Sequence, residues 1–319
     1  MRPDLGRAYA AAWRWGGRLP EPLVRGVATV AADLTWLRRG QGVRRLEANL
    51  ARVRPELGAR ALRRLSRRAM RSYLRYFGEA FTLPHVAPAR VAARISASGL
   101  ESVQPHLDAG RQVVLALGHL GNWDLAGAWA ARELAPVTTV AERLEPEAVF
   151  QEFLRFREQI GLRIIPLSGS GDVFRQLMRV MSTGPGLTPL LADRDLTAKG
   201  IEVDLFGHRA RVAAGPAALA VSTGAPLVAT AITYRRLRGA RRRAAGTPWG
   251  IHLAFAPVPP PDPSRPRREQ VRAVSQAWVD LLAAAIHDAP QDWHMLQRVF
   301  VEDLDPARYA ATVAAEVAP

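Results

Sequence analysis

Residues 111–134 read RQVVLALGHLGNWDLAGAWAAREL, and this stretch decides the fold. RQVVLALGH is a short apolar run that stops at Gly118-His119, as a buried strand does. NWDLAGAWAAREL then opens on Asn122, a good N-cap, and continues as a helix with Asp124 in its first turn. The same alternation runs downstream. APVTTVAE reads as a strand, FQEFLRFREQIG as a helix, LRIIPL as a strand, GDVFRQLMRVMSTG as a helix and GLTPLLAD as a strand. A helix over 216–223 leads through the turn Gly224-Ala225-Pro226 into the strand LVATAIT. WGIHLAFAPV is a further strand after the arginine-rich turn RRLRGARRR, and REQVRAVSQAWVDLLAAAIHDAP is a closing helix. Repeated strand–helix units predict an α/β fold: a central, mostly parallel sheet with helices on both faces. PVPPPDPSRPR reads as a surface connection, and no internal repeat is visible.

Residues 1–85 look helical throughout. They form an N-terminal part ahead of an α/β core over 86–319, the whole reading as one domain. Within 59–81, ALRRLSRRAMRSYLRYFGEAF, the residues Leu62, Leu65, Ala69, Tyr73 and Tyr76 recur at spacings of three and four. Arg63, Arg64, Arg67, Arg68 and Arg71 make the opposite face. That face fits a solvated surface of a core-packed helix, and it also fits a basic amphipathic helix lying on anionic lipid headgroups.

The composition excludes several classes. Of 319 residues, 48% are apolar and 23% charged, a globular balance. The absence of cysteine excludes disulfides, Cys-based metal sites and a Cys nucleophile. There are 44 Lys+Arg against 29 Asp+Glu, a net charge of +15, and Lys199 is the only lysine. Such an excess suggests an anionic partner: nucleic acid, an anionic membrane surface or a phosphorylated small molecule. Arg2, Asp4, Arg7, Arg14 and Arg18 interrupt the N-terminus too often for a signal-peptide core. Residues 212–234 carry no charge, but Gly215-Pro216, Gly224 and Pro226 divide them into helix and strand rather than a membrane span. A soluble or peripheral, monomeric protein is expected.

The chemistry centres on Gly118-His119-Leu120-Gly121-Asn122-Trp123-Asp124. His119 ends a strand, and ligands of open α/β sheets bind at strand carboxyl ends. On one continuous helix His119 and Asp124 would lie about 140° apart, at roughly 100° per residue. Gly118 and Gly121 permit the turn that would bring them together. Asp124 could then accept from one imidazole nitrogen and leave the other as a general base. The same residues also fit a capped helix start carrying an incidental histidine. No Ser or Cys nucleophile accompanies the pair, so it suits a base acting on a hydroxyl that the substrate supplies.

GHLGNWD resembles the His-x4-Asp motif of glycerolipid-type acyltransferases, in the branch that includes the bacterial lipid A late acyltransferases and, more closely, the actinobacterial phosphatidylinositol mannoside acyltransferases. The resemblance covers nearly the whole chain. GVRRLEANLARVRPELG, MRSYLRYFGEAFTLP, VAERLEPEAVFQEFLRFREQIG, LLADRDLTAKGIEVDLFGHRA, GPAALAVSTGAPLV and PQDWHMLQ match its blocks in order. It implies that His119 is the general base and that Asp124 orients it. The activated hydroxyl, a sugar hydroxyl of a glycolipid such as a mannose of phosphatidylinositol mannoside, would attack the thioester of an acyl-CoA, palmitoyl-CoA. Lipid A-type or lysophospholipid acceptors are the alternatives within the class.

The resemblance also implies further site residues. Glu142, at the end of the second strand, would be an acceptor-site acid. Arg157 would support Glu142 or contact CoA. Asp193 matches an acid that the mannoside acyltransferases carry and would be a third catalytic residue, with Arg194 beside it as a substrate-binding position. Lys199 would reach a CoA phosphate and Ser222 would contact CoA. Phe206-Gly207 matches a family turn, with His208 structural or acceptor-contacting, and His294 is expected to pack. The remaining histidines show no metal-ligand spacing, and neither a metal nor a resident cofactor is implied. The expected location is the cytoplasmic face of the membrane. The competing readings are a nucleic-acid binder and a non-catalytic membrane scaffold. The basic residues are dispersed, and no helix-turn-helix, zinc-finger or RNP pattern appears, which argues against nucleic acid.

Overall fold

A computed structural model describes residues 19–143, 146–167, 172–195, 200–307 and 309–310. Three helices come first: α1 (Glu21–Arg38), α2 (Gln41–Val53) and α3 (Ala59–Thr82). The core then runs α4 (Pro88–Arg94), β1 (Ile95–Ser98), α5 (Gln104–Asp108), β2 (Gln112–Leu117), α6 (Trp123–Glu133), β3 (Val137–Glu142), α7 (Glu147–Gln159), β4 (Leu162–Leu167), α8 (Asp172–Val180) and β5 (Gly186–Leu191). It closes with β6 (Ile201–Leu205), β7 (His208–Val212), α9 (Gly215–Thr223), β8 (Leu227–Arg236), α10 (Gly239–Ala245), β9 (Trp249–Pro257) and α11 (Arg267–Asp288). Among the described residues no helix is long and apolar enough to cross a membrane.

The sheet has seven strands in the order β1-β9-β8-β2-β5-β3-β4. Only the β8–β9 pair is antiparallel; the other pairs are parallel. β2 lies in the middle with all six residues buried, as its apolar run requires. Its alternate side chains serve two cores. Val113, Leu115 and Leu117 pack with Leu125, Ala126 and Phe156 of α6 and α7. Val114 and Ala116 pack with Leu219, Trp278 and Leu282 of α9 and α11. The helices thus cover both faces, and the period of two divides the strand between them.

Three features escape the sequence reading. β1 is a four-residue edge strand with too few alternating positions to signal itself. β6 and β7 form a separate antiparallel hairpin in which Leu205 faces His208. Phe206 (φ 58°) and Gly207 (φ 76°) both turn left-handed at its tip, as a tight hairpin demands. The arginine-rich turn also contains the short helix α10.

Three of the five arginines on the basic face of α3 are engaged by the neighbouring helices. Arg67 and Arg71 both fork onto Asp33 of α1, with N–O distances of 2.5–3.0 Å. Arg63 pairs with Glu47 of α2 and lies 4.0 Å over the Trp36 ring. These arginines stitch the three helices together above a small apolar core of Ala32, Val43, Leu46, Leu50, Leu65, Ala69 and Met70. The outward apolar face belongs instead to α1. Leu23, Val27, Val30, Leu34 and Leu37, spaced four, three, four and three apart, are each 48–64% exposed.

Candidate active site

The site forms where β2 and β5 end. In their parallel register Leu117 faces Leu191, so the chain emerges from both strands side by side, and His119 meets Asp193. The His119 Nδ1 lies 2.6 Å from Asp193 Oδ1, and the His119 main-chain N–H donates to Asp193 Oδ2 at 2.9 Å. The indole N–H of Trp293 donates to the same Oδ2, also at 2.9 Å. Asp193 is 2% exposed. Burial pushes its carboxyl up, but His119 and the N–H donors outweigh that, and it stays below the usual carboxylate range. An ionised Asp193 makes Nδ1 the protonated nitrogen, and the imidazole keeps a lone pair on Nε2. The His119 side chain is 32% exposed.

The local chain is built for this approach. At Gly121 (φ 65°) an added methyl would lie 2.2 Å from the Ile232 carbonyl oxygen, so only glycine fits the turn. At Gly118 it would crowd Leu282 at 2.8 Å and Asp193 Oδ2 at 3.1 Å, so the missing side chain lets the carboxylate in. Asn122 caps α6 as its sequence promised. Its Oδ1 accepts from the Leu125 N–H at 2.9 Å, while its Nδ2 donates to Glu79.

Asp124 does not orient His119, and here the sequence expectation is corrected. The cap directs it into the first turn of α6, facing α7 rather than the strand end. Its Oδ1 accepts from Arg157 Nε at 2.9 Å and its Oδ2 from the Tyr76 hydroxyl at 2.7 Å. Asp124 is 1% exposed and Arg157 6%. Burial works against the guanidinium, but Asp124 and Tyr76 outweigh it and raise its pKa. Arg157 therefore supports Asp124, not Glu142. Glu142 is exposed at the end of β3, which β5 separates from β2, about 10 Å at two strand spacings. Arg194 is half-buried beside Asp193, and Lys199 falls outside the described residues. Ser222 does not join the cluster. It sits at the end of α9, just before Leu227, and Leu227 faces Val114 near the start of β2. That is the opposite sheet edge from His119, and the Ser222 hydroxyl donates to the Ala218 carbonyl and accepts from Arg267. His208 lies 3.0 Å from Glu302, a contact away from the site.

The segment 290–295 does more than the packing expected of His294: it frames the site. The Asp292 carbonyl accepts from Gly121 N–H at 2.9 Å, and the His294 N–H donates to the His119 carbonyl at 2.7 Å. Asp292 also accepts from the Ser72 hydroxyl at 2.8 Å and the Tyr234 N–H at 2.9 Å. With the Ser72 hydroxyl given to Asp292, the His294 Nε2–H donates to Ser72 Oγ at 3.1 Å. Burial drives the His294 imidazole down to about 3, helped by Arg75 and His119, so it is neutral. Its Nδ1 lone pair and the Trp123 Nε1–H are both buried without a partner among the described residues. The rings of His119 and His294 flank Trp123 at 5.6 Å and 6.2 Å. An unclaimed donor and an unclaimed acceptor therefore stand beside the free imidazole face.

A narrow cavity of about 60 Å³ adjoins the site on the α6 face of the sheet. Trp123, Asp124 and Arg157 line one part, and Leu115, Ala130, Val137, Leu162 and Leu187 line another. It is apolar apart from Asp124, Arg157, Thr139 and Thr230. Among the described residues no cluster of metal-ligating side chains occurs.

The chain matches, over residues 5–302, the family model described as bacterial lipid A biosynthesis acyltransferase. It is 38% identical over 307 residues to the phosphatidylinositol mannoside acyltransferase of Mycolicibacterium smegmatis, covering 96% of this chain and 94% of that protein. It is 37% identical over 305 residues to the phosphatidylinositol mannoside acyltransferase of Mycobacterium tuberculosis, covering 95% and 90%. With a carboxylate-held imidazole at a strand end and a match that runs almost from end to end, the chain belongs to the bacterial lipid A biosynthesis acyltransferase family and is an acyltransferase.

Proposed function

We propose that this acyltransferase moves a fatty acyl chain from an acyl-CoA, palmitoyl-CoA, to a sugar hydroxyl of a glycolipid, a mannose of phosphatidylinositol mannoside. The observation that carries this reading is the pairing of His119 Nδ1 with Asp193, which leaves Nε2 free beside an apolar cavity. Nε2 removes the proton from the acceptor hydroxyl, and the oxygen attacks the thioester carbonyl. The tetrahedral adduct collapses to the ester as the C–S bond breaks. The imidazolium returns its proton to the departing thiolate, giving free CoA. Asp193 stabilises the transient imidazolium, and the acyl chain enters along the apolar lining beneath α6, which opens to receive it. Asp124 acts through Arg157, whose guanidinium it holds at the cavity wall. The acceptor's identity rests on the two mycobacterial relatives.

The same reading makes the protein peripheral. The apolar stripe of α1 would enter the headgroup layer of the cytoplasmic leaflet. Arg235, Arg236, Arg238, Arg242 and Arg243, exposed and without an ion pair among the described residues, would meet anionic lipid there. The test combines purified protein, palmitoyl-CoA and a panel of acceptors (phosphatidylinositol mannosides, lysophospholipids, a lipid A precursor), with products followed by mass spectrometry. An acylated mannoside that disappears with His119→Ala is expected. Transfer to lysophospholipid alone would overturn the acceptor, and CoA release unchanged by His119→Ala would overturn the mechanism.

A further inference from the structure

Asp193 can steer His119 only if its own carboxylate is prevented from rotating. Two donors converge on Oδ2, the His119 main-chain N–H and the Trp293 indole N–H, each at 2.9 Å. That leaves Oδ1 as the oxygen facing Nδ1, at 2.6 Å. Trp293 is fully buried and Asp193 is 2% exposed, so solvent has little access to substitute for the indole. The contact is not a general need of buried indoles in this core. The Trp278 N–H is equally buried and has no partner among the described residues. Trp293 itself is held by its antiparallel bridge to Leu120, whose two main-chain hydrogen bonds run from the Gly121 N–H to the Asp292 carbonyl and from the His294 N–H to the His119 carbonyl. The residue that grips the carboxylate is therefore tied to the same loop that carries the imidazole.

We propose that Trp293 is a positioning residue of the acyl transfer: its indole N–H fixes the Asp193 carboxylate in the orientation that accepts from His119 Nδ1 and so aims Nε2 at the acceptor hydroxyl. This rests on the reading of His119 as the base. Losing the indole donor removes a hydrogen bond to the charged form of the pair, which then binds its proton at higher pH.

The test uses the full chain with Trp293→Phe, and with the isosteric benzothienyl residue placed at 293 by genetic code expansion, which keeps the indole shape and removes only the N–H. Kcat should fall about tenfold, with the KM for palmitoyl-CoA held within about twofold. The acid limb of the kcat profile should move up by about one pH unit, the size expected for one charge-assisted hydrogen bond. In an Asp193→Asn background the same change should cost less than about twofold, because the partner charge is gone. A purely structural tryptophan predicts an unmoved acid limb in both variants, or an undiminished loss in the Asp193→Asn background; either result overturns the proposal. His119→Ala runs alongside. Full activity there overturns the base reading, whereas an inactive His119→Ala with unshifted Trp293 variants overturns this inference alone.

Discussion

Asp193 and Asp124 are both almost fully buried at the carboxyl edge of the same sheet, yet their surroundings give them different work. Asp193 has an imidazole, an indole N–H and a main-chain N–H. Asp124 has a guanidinium and a phenol. A guanidinium is charged at every accessible pH, so the Asp124–Arg157 pair is permanently neutralised and works as a structural strut. An imidazole can gain and lose its proton near neutrality, so the Asp193–His119 pair can cycle. A carboxylate near a histidine in sequence is therefore a poor guide to which carboxylate serves it.

The comparison can be broken most sharply at the histidine. His119→Ala should lower transfer by about 10³-fold or more while leaving the thermal transition near that of the parent. Asp193→Asn should cost about 10²-fold or more in kcat through loss of the oriented, charge-stabilised imidazole, with KM little changed. Asp124→Asn should behave in the opposite way, leaving a buried guanidinium unpaired and costing about 3 kcal/mol in chemical denaturation. If Asp124→Asn proved catalytically dead but fully stable, the division of labour drawn above would be wrong.

A third buried group sharpens the contrast through pH. His294 titrates at about 3 in the fold, against 6.5 for its ordinary value. Between those two values the unfolded chain binds a proton that the native chain refuses. Native stability is therefore complete above about pH 6.5 and falls with acid by up to about 1.4 kcal/mol per unit from this group. Denaturation midpoints between pH 7 and 4 should show that slope, and His294→Gln should flatten it. Asp193 and Asp33, held low by their partners, add losses only at more acid pH. The smallest expected effect is on specificity. Ala130→Leu intrudes on the cavity beneath α6 and should favour shorter donors, changing the palmitoyl-to-lauroyl ratio by about tenfold. An unchanged ratio would move the acyl site elsewhere.

Local patterns were legible because local physics makes them. The apolar run before Gly118 became β2, Asn122 became the cap of α6, and the uncharged stretch split into α9 and β8 where its glycines and prolines indicated. Partnerships were less legible. The arginines of α3 looked outward on a helical projection, but Asp33 and Glu47, on neighbouring helices, turned them into a seam. Ser222 matched a motif position and landed at the wrong edge. Trp293 left no periodic signal, since its role depends on one N–H meeting one oxygen.

The sequence by itself determined the strand–helix alternation, the strand-end histidine and its capped helix, because turns, caps and hydrophobic periods act within a few residues. Only the tertiary structure decided which carboxylate His119 would have. Asp193 stands 74 positions away and Trp293 a further 100. They meet because parallel strands in register carry both loops to one height, while the helix start that caps on Asn122 directs Asp124 away toward Arg157.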